Sequence, residues 1–337
     1  MTELIPPPGP AMDAEPAAPV LCPEDWLAAQ AAESGRLARA AAAIGRLDAT
    51  LATWPDPARQ GAIRRLALIE IEAMLWAQGT PLRREEIGRE LMDARASSDL
   101  EALRLARWGV RRLEGQGALS DLRGFLGLYR GGAAERREGQ AGLGEPLAAR
   151  PVGMAFDAGA AEFLAAAGAL AGIEPAARAA ALRAAWRLAD LSAPECLTEP
   201  ACWTGRDMAE GCEALRFVPL GRHGRAVWID GGPPLARMRR QLDAVAQGAT
   251  EARRELIRIA DWSARARLAV AGIKGDNPAR VIDSLAAHPL MSAAMVEAET
   301  GISRDTAERL LARMQAMGLL REITGGRRFR LWTAVGG

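Results

Sequence analysis

The sequence predicts a mainly α protein, with helical bundle domains followed by a C-terminal winged helix-turn-helix. Hydrophobic residues make up 49% of the 337 residues and aromatic residues only 4%. Most of the apolar fraction is Ala and Leu, which favour helices. Apolar positions also recur at intervals of three and four residues, the period of a helix with one buried face. An arginine-rich segment with two adjacent glycines follows the last predicted helix and predicts a short β-hairpin.

These patterns divide the chain into five parts. Residues 1–22 contain a proline-rich stretch without an apolar period, which predicts a disordered tail. Residues 23–130 form a predicted N-terminal helical domain. Residues 131–150 are rich in Gly, Glu, Arg and Gln, a composition typical of a linker. Residues 151–274 predict an Ala-rich helical middle domain, and residues 275–337 predict the winged helix-turn-helix.

The first long helix carries an apolar seam formed by Leu37, Ala40, Ile44, Leu47 and Leu51. Such a seam packs either inside its own chain or against a second copy as a coiled coil. It covers about two heptads, fewer than the three or four that are typical of a coiled coil. The spacing therefore favours packing within the chain, and a homodimer stays an alternative.

Two of the following helices each carry a charged feature, and a further helix is predicted between them at residues 83–93. Residues 57–78 include Glu70 and Glu72 on an otherwise apolar surface. Because no His or metal ligand accompanies them, the pattern favours solvated or Arg-paired carboxylates over an acid/base pair. Residues 98–115 predict a helix capped by Ser98. Its basic strip is either a solvated face or a contact for DNA or an acidic partner, and consists of Arg104, Arg107, Arg111 and Arg112.

The middle domain begins with Ala-rich helices over residues 155–191. Residues 215–220 and 226–229 flank a Gly-Arg-His-Gly segment, which predicts either a hairpin or a loop with two short extended pieces. Two helices at 235–248 and 251–271 then lead into the C-terminal domain.

Two helices separated by a glycine predict the helix-turn-helix. Residues 292–300 form a short helix that Gly301 closes, because glycine suits the left-handed turn between crossing helices. Residues 302–317 form the second helix, with Ser303 as its N-terminal cap. Its predicted apolar positions are Ala307, Leu310, Leu311, Met314 and Met317, and its outward positions are Arg304, Asp305, Glu308, Arg309 and Arg313.

Two positions depart from the usual helix-turn-helix pattern. The position four residues before the turn glycine is usually small so that the helices can approach, and here it is Glu297. Thr300 replaces the usual apolar residue just before Gly301. These departures predict a looser crossing of the two helices.

The predicted hairpin pairs residues 320–324 with residues 327–333 across two glycines. Apolar and arginine side chains alternate along its second strand, so one face is apolar and the other carries guanidinium groups. Between residues 302 and 333, seven arginines stand against three carboxylates, a local excess of four positive charges. The whole chain has a formal charge of +1. The positive charge therefore collects where a winged helix contacts DNA.

The sequence thus predicts a binding protein for double-stranded DNA, most simply a transcriptional regulator. The start of the second helix is expected to enter the major groove, and the glycine tip of the hairpin to approach the minor groove. The alternative is a protein-interaction scaffold whose winged helix docks a partner and whose hairpin is a solvated edge. The predicted base contacts are Ser303, Arg304, Asp305 and Arg309, and the predicted backbone contacts are Arg313, Thr324, Arg327, Arg328 and Arg330.

The sequence offers no recognised catalytic, cofactor or metal motif. It contains no P-loop, dinucleotide fingerprint or nucleophile elbow. Cys196, Cys202, Cys212 and His223 lack the paired spacing of a zinc site. Scattered cysteines without a signal peptide predict reduced thiols in a cytoplasm, and no apolar run is long enough to span a membrane. We therefore predict no enzyme activity, no cofactor and no membrane association. The other histidine, His288, is predicted to contact the carbonyl groups at a helix end.

Short segments spread over much of the chain carry a family resemblance: residues 36–40, 44–48, 75–79, 85–87, 93–94, 261–266, 295–303, 321–325 and 329–332. In these segments the chain resembles uncharacterised helix-turn-helix proteins found on plasmids and mobile elements of rhizobia and related alphaproteobacteria. That family pairs a domain of unknown function with a C-terminal DNA-binding domain. The resemblance implies a DNA partner but no established target or reaction.

The layout also resembles, distantly, Fic proteins, whose helical bodies often carry a C-terminal winged helix. Their signature, H-x-F-x-[DE]-G-N-G-R, places a histidine base before a glycine-rich anion-binding loop. Here His223 is followed by Gly-Arg-Ala-Val and His288 by Pro-Leu-Met-Ser, and neither fits. The resemblance therefore implies at most a degenerate nucleotidyltransferase, which would hold a nucleotide near His223.

Overall fold

The structure is a computed structural model that describes residues 21–56, 58–83, 86–87, 100–127, 151, 153–229, 231–324 and 330–335. Almost all regular secondary structure in these residues is helical, which confirms the mainly α prediction. Most of the predicted tail, the predicted linker at 131–150 and the predicted cap Ser98 lie outside the described residues. In the part of the chain that the structure covers, no helix is long and apolar enough to cross a bilayer.

The helices follow the chain in three groups. The first group is α1 (Pro23–Ala32), α2 (Ser34–Ala52), α3 (Ala58–Gln78), α4 (Leu100–Leu113) and α5 (Leu122–Leu126). The second is α6 (Gly153–Ala169), α7 (Pro175–Leu188), α8 (Thr198–Asp207), a 3₁₀ turn (Gly221–Gly224), α9 (Arg225–Trp228) and α10 (Pro234–Val270). The third is α11 (Asn277–Ala287), α12 (Ala293–Thr300) and α13 (Arg304–Ala316), followed by β1 (Leu320–Glu322) and β2 (Trp332–Ala334).

Helix α2 packs along the long helix α10, and this is the most extensive contact between two described elements. Ala40, Leu47 and Leu51 of the predicted seam are fully buried. Beside them, the buried carboxylate of Glu33 accepts hydrogen bonds from Arg36 and Arg239, each at 2.5 Å. The seam therefore packs within its own chain, as its spacing favours.

Helix α10 runs unbroken over 37 residues, so the prediction of two helices at 235–248 and 251–271 is wrong. Gly248, which the sequence pattern places at a helix end, lies inside α10. A Cβ atom at this position would lie 2.6 Å from the Cα atom of Leu220. A glycine is needed at position 248 because the backbone near Leu220 approaches the helix here. Gly248 does not end the helix.

One apolar core joins the predicted N-terminal and middle domains. Phe125, Trp186 and Phe217 are buried in it, and Phe163 packs edge-on against Trp186 with ring centroids 5.1 Å apart. We call this part, α1–α9 together with α10 up to Leu256, the helical body. Its two segments share a core although the sequence pattern separates them.

Glu70 is a buried acid on α3 that holds the loop before α9. Its carboxylate accepts hydrogen bonds from the backbone N–H groups of Leu220 at 3.0 Å and Gly221 at 2.6 Å. The prediction of a solvated or Arg-paired Glu70 is therefore wrong. Residues 221–228 continue as the 3₁₀ turn and α9. The predicted hairpin is therefore wrong, and so is the alternative of an extended piece at residues 226–229. In a hairpin, the backbone N–H groups of Leu220 and Gly221 would donate to the opposite strand. Here they donate to the carboxylate of Glu70.

We expect Glu70 to make the stability of the fold depend on pH. Burial raises the pKa of Glu70 from 4.5 to about 7, against the lowering effect of its two backbone donors. Since the folded chain favours the protonated acid, this contribution to stability is complete below pH 4.5 and is lost as the pH rises through about 7. The shift corresponds to at most about 3 kcal/mol.

The measurement is the free energy of unfolding in urea between pH 5 and 8 for the wild type and for Glu70→Gln. The glutamine stays neutral, so the difference in stability between the two proteins should change across this range. A difference that is constant from pH 5 to 8 would contradict the assignment, because other titrating groups are common to both proteins.

The C-terminal helices and strands enclose a second apolar core. Helix α10 contributes Ile259, Trp262 and Val270 to it, and the indole N–H of Trp262 donates to the carbonyl of Leu319 at 2.8 Å. One continuous helix therefore belongs to both cores. The predicted boundary between residues 274 and 275 follows this shared segment in the chain.

Helix α3 meets the C-terminal end of α11 at Gly61 and Arg65. A Cβ atom at Gly61 would overlap the backbone of Ala287. The buried guanidinium of Arg65 donates to the carbonyls of Leu285 at 3.3 Å and His288 at 3.5 Å. These bonds satisfy carbonyl groups that the end of a helix leaves open. The helical body therefore contacts the C-terminal domain through α3 as well as through α10.

Candidate nucleic-acid interface

Helices α12 and α13 are joined by a short turn at residues 301–303. The Ser292 hydroxyl caps α12 by accepting a hydrogen bond from the N–H of Met295 at 3.2 Å. Gly301 has a φ of 70°, the left-handed conformation expected of a residue that closes a helix. The predicted short helix and its closing glycine are therefore confirmed.

The two unusual residues of the pattern do not hold the helices apart. Glu297 is exposed to solvent. The Thr300 hydroxyl donates to the carbonyl of Val296 at 2.5 Å and accepts from the N–H of Ile302 at 3.2 Å. Thr300 thus stabilises the turn, and neither residue provides the physical basis for the looser crossing that the sequence predicts.

Helix α13 has one buried face and one charged face. Ala307, Leu311 and Met314 are fully buried and Leu310 is half-buried. Met317 is 39% exposed because it follows the last helical residue, so its assignment to the apolar face is wrong. All the side chains predicted to face outward are exposed: Arg304, Asp305, Glu308, Arg309 and Arg313.

The first turns of α13 hold their charged groups through exposed contacts. Ser303 occupies the N-terminal cap position, but its hydroxyl lies 3.0 Å from that of Thr306 and caps no backbone donor, which corrects the prediction. Arg309 donates to the carbonyl of Asp305 and to the Thr306 hydroxyl, each at 3.3 Å. Exposed contacts of this kind contribute little stability. These groups can therefore exchange their partners for a ligand at a small energetic cost.

Strands β1 and β2 follow α13 as an antiparallel pair, with Leu320 opposite Ala334 and Glu322 opposite Trp332. The predicted second strand began at residue 327, whereas β2 begins at Trp332 and residues 330–331 are not in a strand. A further bridge pairs Trp332 with Met291, just before α12. The strands therefore attach to both ends of the helix-turn-helix.

The side chains predicted on the hairpin are placed unequally. Arg330 pairs with Glu322 at 2.5 Å and lies 4.9 Å from the ring centroid of Trp332. Hydrogen bonding to Arg330 lowers the pKa of Glu322, so this pair is ionised at neutral pH. The Thr324 hydroxyl accepts from the N–H of Leu331 at 3.3 Å. The remaining predicted contacts, Arg327 and Arg328, and the glycine tip lie outside the described residues.

Two exposed arginines near this surface are absent from the predicted contacts. Arg280 on α11 donates to the carbonyl of Thr300 at 3.3 Å, which places it beside the turn before α13. Arg321 is exposed on β1. The sequence gives no local signal for Arg280, because its neighbour at the turn is distant along the chain.

His288 lies between the helical body and the C-terminal domain. Its Nδ1 atom is 3.3 Å from the Arg64 guanidinium, and its Nε2 atom is 3.0 Å from a carboxylate oxygen of Glu299. The predicted contact with helix carbonyls is therefore wrong for this side chain. Burial lowers the pKa of His288, and the charge of Arg64 lowers it further, while Glu299 raises it.

The basic strip on α4 does not form one surface. Arg104 and Arg111 are exposed. The Arg112 guanidinium instead lies 5.6 Å from the ring centroid of Phe125 and donates to the carbonyl of Gly124 at 3.2 Å. Arg112 therefore stabilises the packing of α5 and does not belong to a solvated face.

The cysteines and His223 form no metal centre in the part of the chain that the structure describes. Cys202 is fully buried, and burial raises the pKa of its thiol. His223 lies 3.1 Å from Glu251, beside a cavity of about 700 Å³ that Arg222, Arg225 and Arg240 also line. None of the residues that line this cavity belongs to the C-terminal helices or strands.

Residues 279–335 match the family model of a helix-turn-helix DNA binding domain. The match covers α12, the turn and α13 with both strands, which are the elements described above. No curated protein matches the chain. The chain thus carries a helix-turn-helix DNA-binding domain at its C-terminus, beside a large helical body that the family model does not cover.

Proposed function

We propose that this chain binds double-stranded DNA sequence-specifically and acts as a transcriptional regulator, with α13 as its recognition helix. One observation carries the proposal: within the matched domain, the first turns of α13 expose three charged side chains, Arg304, Asp305 and Arg309. In helix-turn-helix proteins the start of the second helix contacts base edges.

Each group has a role that its chemistry supports. Arg304 and Arg309 are suited to guanine, whose major-groove edge offers two acceptors, and Asp305 is suited to the amino group of cytosine. The Ser303 hydroxyl suits either a base or a phosphate. Arg313, one turn after Arg309 and also exposed, suits a phosphate. The exposed Arg280 and Arg321 are suited to two more contacts with the DNA backbone.

We further propose that residues 320–333 act as a wing on the DNA backbone. Arg327, Arg328 and Arg330 are its cations, and Thr324 adds a hydroxyl group. Arg330 is already paired with Glu322, so it offers less charge to a phosphate than an isolated arginine. We therefore expect α13 and its flanking arginines to supply more of the affinity than Arg330.

A homodimer would supply a second half-site, as is usual for helix-turn-helix regulators. The seam on α2 is already covered by α10, so a second copy would have to use another surface. We propose a cytoplasmic, non-enzymatic protein. Of the family resemblance of the sequence, the proposal uses only the C-terminal DNA-binding domain.

The test of DNA binding is the affinity of the purified chain for duplexes over a series of salt concentrations. If about four to six arginines neutralise phosphates, log affinity should fall with log salt at a slope of roughly −4 to −5. Two outcomes would turn attention to the alternatives. A slope near zero favours a scaffold whose C-terminal domain docks a protein, and a melting temperature raised by ATP favours a nucleotide site beside His223.

A further inference from the structure

A second cavity lies where the helical body meets the helix-turn-helix domain. Its volume is about 260 Å³. Helices α3 and α4 contribute Arg64, Arg107 and Arg111, and the C-terminal domain contributes His288 and Met295. The cavity therefore has one wall in each of the two parts.

Three guanidinium groups and one carboxylate line the cavity. The carboxylate, Glu114, is paired with Arg64, and Arg107 is also engaged by a partner within the chain. Arg111 is exposed, and no ion pair in the described part of the chain engages it. The remaining lining is largely aliphatic, including Leu68 and Leu290. A cation without an ion-pair partner beside aliphatic side chains is a feature of a site for a small organic anion.

Contacts between α3 and the C-terminal domain fix the two walls of the cavity relative to each other. Arg64 on α3 contacts His288, and His288 contacts Glu299 on α12. Beside the cavity, Arg65 donates to the last carbonyls of α11, and α3 packs against the backbone of Ala287 at Gly61. A molecule that touches both walls therefore favours this docked arrangement of the two parts.

We propose that this cavity binds a small organic carboxylate or phosphate, and that its occupancy stabilises the docked arrangement of the DNA-binding domain. The volume lies below the roughly 300–1,000 Å³ of sites for drug-sized ligands, which favours a small molecule. The charged face of α13 is exposed in this arrangement. A bound anion that holds the domain in it lowers the entropy cost of binding DNA, so it should raise the affinity for DNA. This second statement rests on the proposed DNA-binding function, whereas the anion site itself does not.

The first experiment measures binding without DNA. The full chain is titrated by calorimetry with inorganic phosphate, succinate and benzoate, with benzamide as an uncharged probe of the same shape as benzoate. We expect saturable binding of at least one anion and none of benzamide. Saturable binding of benzamide with the affinity of benzoate, or no saturable binding of any of the three anions, would overturn the proposal.

Two exposed arginines on α4 provide a matched pair of variants. Arg111 lines the cavity and Arg104 does not, although both are exposed on the same helix. Arg111→Gln should weaken anion binding by about tenfold or more, because a charge-assisted hydrogen bond is lost. Arg104→Gln should leave it unchanged. Equal affinities in the two variants would show that the anion binds elsewhere and would overturn the site.

The second experiment measures the affinity for DNA with and without the bound probe, at constant ionic strength. Coupling between two sites typically changes affinity by about 5–150-fold, and we expect an increase within this range that Arg111→Gln abolishes. An unchanged or lower affinity for DNA would refute the coupling. A chain that binds the anion but no DNA at all would refute the proposed function and leave the anion site intact.

Discussion

Reversing two charges on the exposed face of α13, Arg309→Glu with Arg313→Glu, should lower the affinity for DNA by at least about 100-fold. Each substitution removes a cation and places a carboxylate where a base edge or phosphate is expected. Both side chains are exposed, so the fold should survive the change. The slope of log affinity against log salt should also become shallower by about one, since Arg313 is the proposed phosphate contact of the two.

Helix α2 offers a matched control for this double variant. Arg39 and Arg46 are exposed on α2, far in sequence from the DNA-binding domain. Arg39→Glu with Arg46→Glu changes the net charge of the chain by the same amount. We expect this control to bind DNA within about threefold of the wild type. Comparable losses in both double variants would mean that DNA responds to overall charge and that α13 makes no specific contact.

The second large effect is expected at the junction between α3 and α11. A methyl group at Gly61 would overlap the backbone of Ala287, which cannot move aside as a flexible side chain can. Gly61→Ala should therefore lower the free energy of unfolding by about 3 kcal/mol, as expected for an added group in a packed interface. The overlap would push α3 and α11 apart. This would lengthen the hydrogen bonds from Arg65 to the end of α11.

Gly45→Ala on α2 is the control for Gly61→Ala. Gly45 is exposed in the middle of a helix, and a Cβ atom there would meet nothing within 4 Å. Because Ala favours a helix more than Gly does, this variant should be more stable by about 0.5–1 kcal/mol. Unfolding in urea measures both. If Gly61→Ala is also stabilised, then α3 and α11 do not pack as closely as described.

The sequence predicts those parts of the fold that depend on local periodicity. The helix-turn-helix is found because its signals lie close together: a left-handed Gly301 between two helices and the apolar spacing of α13. The seam on α2 is found for the same reason, since its apolar positions repeat within one helix. Local patterns of this kind can be recognised without knowledge of the partner that covers them.

The features that the sequence misses depend on contacts between distant segments. Gly248 resembles a helix end, yet it lies inside α10 because the backbone near Leu220 approaches it. Glu70 resembles a surface carboxylate, yet it is buried because Leu220 and Gly221 supply backbone donors. The residues that flank Gly248 or Glu70 in the sequence do not indicate that the segment around Leu220 packs against them. Periodicity alone therefore gives the wrong interpretation at both positions.

The candidate site shows the same division. The exposed charges of α13 follow from its helical period, and the structure places them as expected. The pairing of Arg330 with Glu322 and the position of Arg280 beside Thr300 depend on how the strands and α11 fold against the turn. The anion cavity depends on two parts of the chain that are far apart in sequence, and no sequence motif marks it.

The most direct test of the central claim is selection of bound sequences from a pool of duplexes with a randomised core, using the wild type and Asp305→Ala. Recognition by α13 predicts one enriched motif for the wild type and a changed preference at one position of that motif for Asp305→Ala, because a carboxylate that accepts from cytosine is lost. A pool that stays random with the wild type, or a motif that is identical for both proteins, would contradict base recognition through the start of α13.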